Sequence, residues 1–303
     1  MPASDIALPL RIGARTIWTL RRRLLRRGVA LEEALGAGPP PLPPLDAADD
    51  GYLVTALPAA WAGELVAAHP GLRPFTRQHY PRSYARLDQD FDAYLAGFSA
   101  KSRSTLKRKA RKLAERSGGA ADIRCYRGEA EIALFHGAAR TLSARTYQER
   151  LLGAGLPDGP EALDEMRALA RRDRVRGWLL LLEGRPIAYL YAPAQGATLI
   201  YAHLGYDPDF ADLSPGTVLQ LEAMRQLMAE RAFRLFDFTE GDGQHKRQFA
   251  TGAIDCVDLL LVRPTAGNLL AGYALNAFDR GVALAKRVVV AGGGRSAARR
   301  LRN

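Results

Sequence analysis

The chain has 303 residues, of which 48% are hydrophobic and 25% charged; that balance excludes wholesale disorder. Its longest apolar runs, such as Trp178 to Leu182, fall far short of the ~20 residues that span a bilayer. The formal net charge of +11 points to an anionic partner, a nucleic acid, a membrane face or a phosphate-bearing ligand.

The charge is concentrated as the chain is followed. Residues 11–27 hold seven Arg and no acid. Residues 10–35 are expected to form a basic amphipathic helix, with Ile12, Ile17, Trp18, Leu24, Leu25 and Leu31 on an imperfect apolar face. Pro39, Pro40, Pro41, Pro43 and Pro44 enforce an extended linker after it. Residues 46–97 read as a small α/β piece, with a strand at Tyr52–Leu57, a short helix at Ala59–Ala68 and a strand near Arg82–Leu87. Residues 99–116 form a helix capped by Ser99 or Ser102, with Leu106, Ala110 and Leu113 on a narrow apolar stripe. Its positions 101–116 carry eight Lys/Arg and one acid, Glu115.

A regular alternation follows. A strand at Asp122–Arg127 leads to a helix at Glu129–Ser143, a polar loop at Gly153–Gly159 and a helix at Pro160–Arg172. Strands at Trp178–Glu183 and Pro186–Ala192 flank a two-residue turn, Gly184-Arg185, and a third covers Thr198–Tyr206. Short links make these antiparallel neighbours. A helix at Pro215–Arg231, a strand at Arg234–Thr239, a short helix at His245–Ala250 and a strand at Ile254–Val262 complete an α/β architecture with a helix crossover at its centre. Residues 266–303 form a C-terminal helix and a tail; positions 286–303 hold six Lys/Arg and no acid. Outside the three basic stretches the chain has 22 Lys/Arg against 31 Asp/Glu. A body that binds nucleic acid over its whole surface does not have that balance. Domains are therefore expected at 1–45, 46–97, 98–265 and 266–303.

Cys125 and Cys256 stand apart and read as strand residues rather than as a disulfide pair. The histidines, His69, His79, His136, His203 and His245, have no metal-ligand spacing, so no metal is expected. Nothing at the N-terminus reads as a secretory signal, because Arg15 and Arg21–Arg23 interrupt its apolar residues. A cytoplasmic location, peripheral to an inner membrane if the basic segments touch it, is the expectation.

The order of elements resembles the GNAT acyltransferase superfamily. Phe98-Ser99-Ala100-Lys101-Ser102-Arg103 with Leu106 looks like the basic helix of Fem-type aminoacyl transferases. Tyr201, Tyr206-Asp207-Pro208, Leu213-Ser214-Pro215-Gly216-Thr217-Val218-Leu219 and Phe236-Asp237-Phe238-Thr239-Glu240-Gly241, followed by Lys246 and Phe249, look like the same group. The bacterial GNAT proteins associated with cellulose or other exopolysaccharide biosynthesis are the most similar. The resemblance covers residues 50–262 and implies a mixed, mostly antiparallel sheet flanked by helices, with a partial N-terminal GNAT-like half and basic terminal helices. It also implies an acyl-CoA co-substrate. The GNAT pyrophosphate loop, Gln/Arg-x-x-Gly-x-Gly/Ala, is represented here by Ala211-Asp212-Leu213-Ser214-Pro215-Gly216, which lacks the basic residue and the second glycine.

The turn has a physical reading of its own. Ser214 at the N-cap, Pro215 in the first turn and Gly216 open a helix whose exposed N–H groups suit an anion; a well-capped helix with no ligand reads equally well. Acyl transfer needs a base for the amine, a stabilised oxyanion and an acid for the leaving group. Backbone N–H groups around His203, Leu204 and Gly205 are candidates for the oxyanion and the donor's arm, with Ser214, Gly216 and Thr217 for its phosphates. Tyr206 or Tyr201 can protonate a thiolate, or simply pack as a strand aromatic. Asp237 and Glu240 stand near a strand end, where α/β sheets place chemistry. Glu240 is the preferred base, while Asp237 can instead bond a nearby backbone turn. Lys246 offers a point charge and His245 a titration near neutrality. Arg145, Tyr147 and Gln148 are candidate acceptor contacts or the exposed end of a helix.

The leading expectation is an N-acyltransferase that moves an acyl group from acetyl-CoA or another acyl-CoA to a small-molecule amine, in polysaccharide or cell-envelope metabolism. An aminoacyl-tRNA donor bound by the basic helix is the alternative within the enzyme class. A non-catalytic GNAT-fold scaffold on an anionic membrane face is the alternative outside it.

Overall fold

The computed structural model describes residues 3–12, 15–146, 155–241 and 243–291. The chain forms two compact units, one of residues 1–81 and 254–303 and the other of residues 82–253.

In chain order the first unit opens with β1 (Ser4–Ile12) and β2 (Arg15–Gly28). A one-turn helix α1 (Leu31–Ala34), β3 (Gly51–Pro58), α2 (Ala62–Ala67) and the long β4 (Arg73–Arg86) follow. The second unit takes over within β4. It continues with α3 (Phe91–Ala96), α4 (Ala100–Arg116), β5 (Asp122–Tyr126), α5 (Glu129–Ser143) and α6 (Pro160–Ala170). Then come β6 (Val175–Leu182), β7 (Arg185–Gln195), β8 (Thr198–Ile200) and β9 (His203–Tyr206). A 3-10 turn at Pro208–Leu213 leads into α7 (Pro215–Glu230), β10 (Leu235–Glu240) and α8 (Gln244–Phe249). The chain returns to the first unit through β11 (Gly252–Val262) and ends its described part in α9 (Ala266–Ala291).

Residues 10–35 are not the helix that their arginine-rich sequence predicts. β1 and β2 form an antiparallel hairpin with Leu8 opposite Leu20 and Leu10 opposite Trp18. β2 then pairs in parallel with β3, and β3 antiparallel with β11. Ile6, Leu8 and Leu10 alternate with period two, so only a strand keeps them on one face. Leu8 and Leu24 pack with Phe75, Leu260, Val262 and Leu275, whereas Leu25 packs on the opposite side with Tyr52, Val54 and Leu261. Tertiary pairing outweighs the helical preference of the arginines.

The second unit has the strand order β4-β10-β8-β7-β6-β5, with β9 also on β7. Only β10 and β8 are parallel; the other pairs are antiparallel. Both faces are covered, which explains why all of β6 is buried. Trp178, Leu180 and Leu182 pack with Leu106, Leu113, Val218 and Met224, contributed by α4 and α7. Leu179 and Leu181 pack with Ile132, Phe135 and Leu142 of α5 and Met166 of α6. The hairpin turn between β6 and β7 is Glu183-Gly184, one residue earlier than expected. Both have positive φ, 53° and 77°, as a type I′ turn requires. The mixed, mostly antiparallel sheet with flanking helices is the architecture the sequence implies.

Gly177 marks a tight seam of this sandwich. A Cβ there would sit 2.8 Å from Cγ of Phe135, a buried ring atom that cannot swing aside. Gly177→Ala is therefore expected to destabilise the protein by about 1–3 kcal/mol through overpacking, read by urea denaturation. Adding Phe135→Leu should recover part of the loss; an unchanged midpoint for Gly177→Ala would show that the seam is looser than described.

Candidate functional site

The site begins with a strand that loses its neighbour. β8 pairs in parallel with β10 from Leu235 to Asp237, and the Tyr201 N–H still donates to the Asp237 carbonyl at 2.8 Å. One residue later, the Ala202 N–H donates to Tyr191 of β7 instead, at 3.2 Å. β9 stays with β7, Tyr191 opposite His203 and Ala188 opposite Tyr206. Among the described residues, nothing in β10 beyond Asp237 pairs with it. The two strands therefore diverge, and the wedge between them holds a cavity of about 450 Å³.

One wall of the cavity is the β9 segment, with His203, Leu204 and Tyr206. A second is the start of α7, where Ser214, Gly216, Thr217 and Gln220 line the space. The third is Phe238 of β10 with His245, Lys246 and Phe249 of α8. Tyr189 and Tyr201 also line the space, together with Ala202, Ala211 and Pro215.

The α7 wall differs from its expected capping. Ser214 occupies the N-cap in the left-handed region, φ 53° and ψ 47°, and its side chain makes no capping bond. The turn closes instead through its carbonyl, which accepts from the Thr217 and Val218 N–H groups at 3.0 and 3.2 Å. Pro215 is at the first helical position. Gly216 lies against β9: a Cβ there would come within 3.0 Å of Leu204 Cδ2. The basic residue missing from this turn is supplied from another element. Lys109 of α4 donates to the Thr217 hydroxyl at 3.3 Å, and Lys112 donates to the Asp212 carboxylate at 2.9 Å and its carbonyl at 3.0 Å.

The β10 end is held by a buried ion pair. Arg82 donates to both Asp237 oxygens, with its shortest contact at 2.6 Å, and both side chains are buried. Asp237 also accepts the Thr239 N–H at 2.8 Å, the backbone bond the sequence raised as an alternative. Thr239 has φ 62° and Gly241 φ 105°, and the β4–β10 register shifts between Asp237 and Glu240. That bulge turns the chain into α8. Asp237 and Glu240 do not line the cavity; Glu240 is exposed to solvent.

Lys246 folds back over the bulge, donating to the Glu240 carbonyl and, at 3.4 Å, to the Thr239 hydroxyl. Burial lowers its pKa below the usual lysine range, and Glu240 and Asp237 oppose that shift. Burial also lowers the His245 pKa, and the Lys246 charge adds to the effect. The imidazole packs 5.9 Å from the Tyr201 ring. Burial pushes the Tyr201 phenol up.

The other candidates lie apart from this group. Gly205 is packed beneath Tyr189 and Thr146, whose atoms a Cβ would meet at 2.5 and 2.8 Å. Arg145 pairs with Asp207 at 2.9 Å and Asp209 at 3.0 Å, which ties the end of α5 to the loop after β9. Tyr147 and Gln148 lie outside the described residues. Among the described residues, no group of three or more His, Cys, Asp or Glu could hold a metal ion.

Three contributors went unrecognised in the sequence. Tyr189 was read as a strand residue, though its hydroxyl donates to Ser143 at 3.1 Å from the cavity wall. Arg82 gave no local signal, because its partner is 155 residues away. Gln220 had a legible signal, a carboxamide inside the apolar run Val218-Leu219…Ala223-Met224. It is 3% exposed, and neither its Oε1 nor its Nε2 has a hydrogen-bond partner, a condition that costs about 1–3 kcal/mol per buried group.

Two outcomes follow from this geometry. In an NMR titration, His245 should lose its proton with a midpoint below 6.5, and Lys246→Met should move that midpoint upward by removing the neighbouring charge; an unmoved midpoint would remove Lys246 as a cause. Stability coupled to His245 is present above pH 6.5 and falls as the pH drops toward the lowered native value. Asp237→Ala should cost about 3–5 kcal/mol in urea unfolding, because it removes the buried carboxylate that pairs with the Arg82 guanidinium. A loss below about 1 kcal/mol would contradict that role.

Residues 100–247 match the family described as Acetyltransferase (GNAT) domain. Comparison with curated proteins gave no match. Among solved structures the chain is similar to FemX, at 9% identity over 74% of this chain and 74% of that one, with a TM-score of 0.54. It is also similar to the C-terminal domain (DUF2156) of a putative lysylphosphatidylglycerol synthetase from Agrobacterium fabrum, at 13% identity over 78% and 73% of the two chains, with a TM-score of 0.50. Identities this low speak to fold alone. The diverging strands, the helix that starts beside them and the family match coincide within one segment: residues 100–247 carry a GNAT acetyltransferase domain match on a GNAT-like fold.

Proposed function

We propose that the protein is an N-acyltransferase that moves an acyl group from acetyl-CoA or another acyl-CoA to an amine acceptor. The observation that carries this reading is the cavity between β9 and β10, with a helix N-terminus on one wall and His245 beside Lys246 on another. The α7 N-terminus favours an anion. Lys109, bonded to Thr217 at that terminus, provides the cation that the turn itself lacks. Together they suit the phosphates of a donor whose extended arm lies along His203–Tyr206.

The step is a direct transfer. The acceptor nitrogen attacks the thioester carbonyl carbon, a C–N bond forms, and the C–S bond breaks. The neutral His245 imidazole takes the amine proton, and Tyr206, at the exposed end of β9, returns a proton to the thiolate. His245 lines the cavity and Glu240 does not, which supports the imidazole over the carboxylate as the base. Arg145, Tyr147 and Gln148 remain our candidates for acceptor contacts. The motif resemblance supports an amino sugar or another amine of polysaccharide or envelope metabolism as acceptor.

A second reading has its own observation. Arg103, Lys107, Arg108 and Arg111 lie along one face of α4, bordering a shallow groove of about 510 Å³. Lys107, Arg108 and Arg111 are exposed there. Such a face suits RNA phosphates and thus an aminoacyl-tRNA donor.

Calorimetry with acetyl-CoA separates the two readings. Binding by the wild type is expected, with at least a ~tenfold loss in Gly216→Asp, which adds a charge and a clash at the helix start. Absence of binding by the wild type would remove the acyl-CoA donor and favour the second reading. With the donor established, His245→Gln should lower kcat by roughly 10²-fold or more, while Glu240→Gln keeps most of the activity. The acid limb of the rate profile should fall below pH 6.5, where His245 gains its proton; an acid limb preserved in His245→Gln would assign it to another group.

A further inference from the structure

Gln220 sets up a second question within the same cavity. It stands three and four residues after Thr217 and Gly216, so all three share one face of α7. Its carboxamide therefore lies one turn, about 6 Å, deeper along the helix than the proposed phosphate site. Leu219, Ala223 and Met224 around it are fully buried. Among the described residues it is the cavity-lining side chain whose buried polar atoms have no partner, and this holds for both ends of the amide. A leucine or methionine would fill the same volume without stranding two polar groups, so packing alone does not account for a glutamine here.

The carboxamide defines what completes it. It offers one acceptor oxygen and two N–H donors side by side. A carboxylate would satisfy the donors and leave Oε1 stranded; an ammonium group would do the reverse. A chain with two neighbouring secondary amides satisfies both, because the carbonyl of one accepts from Nε2 while the N–H of the other donates to Oε1.

We propose that Gln220 is a substrate-reading residue that pairs with neighbouring secondary amides of the ligand held between β9 and α7. This inference rests on the acyl-transfer reading of the cavity and deepens it. The amides belong either to the arm of the acyl donor, which in coenzyme A carries two such groups, or to a peptide-like acceptor. The depth of Gln220 below the helix start favours the donor's arm.

The test uses the full chain with Gln220→Met and, as a second variant, Gln220→Leu. Both should raise the melting temperature by about 2–4 °C, because each removes the stranded polar groups. Both should also weaken coenzyme A binding by ~tenfold or more in calorimetry. N-acetylglycinamide serves as a peptide-like probe, followed through the side-chain NH₂ signals that disappear in Gln220→Met. A lower melting temperature in both variants would show that the amide supports the fold, and would overturn the proposal. Unchanged affinity for coenzyme A and for the amide probe would overturn it too, while leaving the donor reading intact. If the wild type binds only the amide probe and the variants lose it, Gln220 keeps its role and the coenzyme A donor is lost. If the wild type binds neither, both fall.

Discussion

The parting of β9 from β10 is the constraint around which the second unit is arranged. Two parallel strands share hydrogen bonds as far as the Tyr201–Asp237 contact, and the next residue already belongs to β7. Separating paired strands strips backbone groups of partners, so both ends need support. On one side β9 keeps its antiparallel ladder with β7, and Gly205 lets Tyr189 and Thr146 pack directly beneath it. On the other, the Arg82–Asp237 pair clamps β10 just before the bulge, and Lys246 holds the carbonyl beyond it. The cavity results from this support. Asp237 is thus a positioning residue for the wedge, and the groups facing the space are His245, Lys246 and Tyr206.

Electrostatics in this unit are assembled across elements. The turn before α7 carries no cation of its own, and α4 delivers one from more than a hundred residues upstream in Lys109. Lys112 pins the same turn through Asp212. The strongly basic α4 therefore has two faces of different use. One braces the start of α7, and the other, with Lys107, Arg108 and Arg111, remains exposed. The arginines of β2 are likewise partly consumed in structure. Arg22 bonds Asn268, Arg23 pairs with Asp49, and Arg27 pairs with Glu33. The acids of these pairs are already counted in the net charge of +11, so pairing changes where the positive excess lies and not its size.

Local patterns were legible where an element's own residues decide its form. The capped helix at Ala100–Arg116, the apolar run Trp178–Leu182 of β6 and the Pro215-Gly216 start of α7 could all be read directly. The long-range contributions could not. Residues 15–28 become a strand because β1 and β3 offer edges on both sides, and no local arginine pattern contains that information. Ser214 looked like a capping side chain, yet its left-handed backbone turns the hydroxyl away from that duty. At the site, Tyr206, His245, Lys246, Gly216 and Thr217 come together, but the choice between His245 and Glu240 rests on which of them lines the cavity, which strand-end position does not reveal. Gln220 was visible as a polar interruption of an apolar helix, and its meaning depended on knowing that a cavity opens beside it.

The central claim is that the wedge between β9 and β10 receives the acyl donor. The most direct measurement is a titration of ¹⁵N-labelled full-length protein with coenzyme A, with shifts mapped onto the backbone amides. The account predicts saturable shifts at His203–Tyr206, Gly216, Thr217 and Phe238. Shifts confined to the exposed face of α4 or to residues 1–81, or no shifts at millimolar ligand, would contradict it.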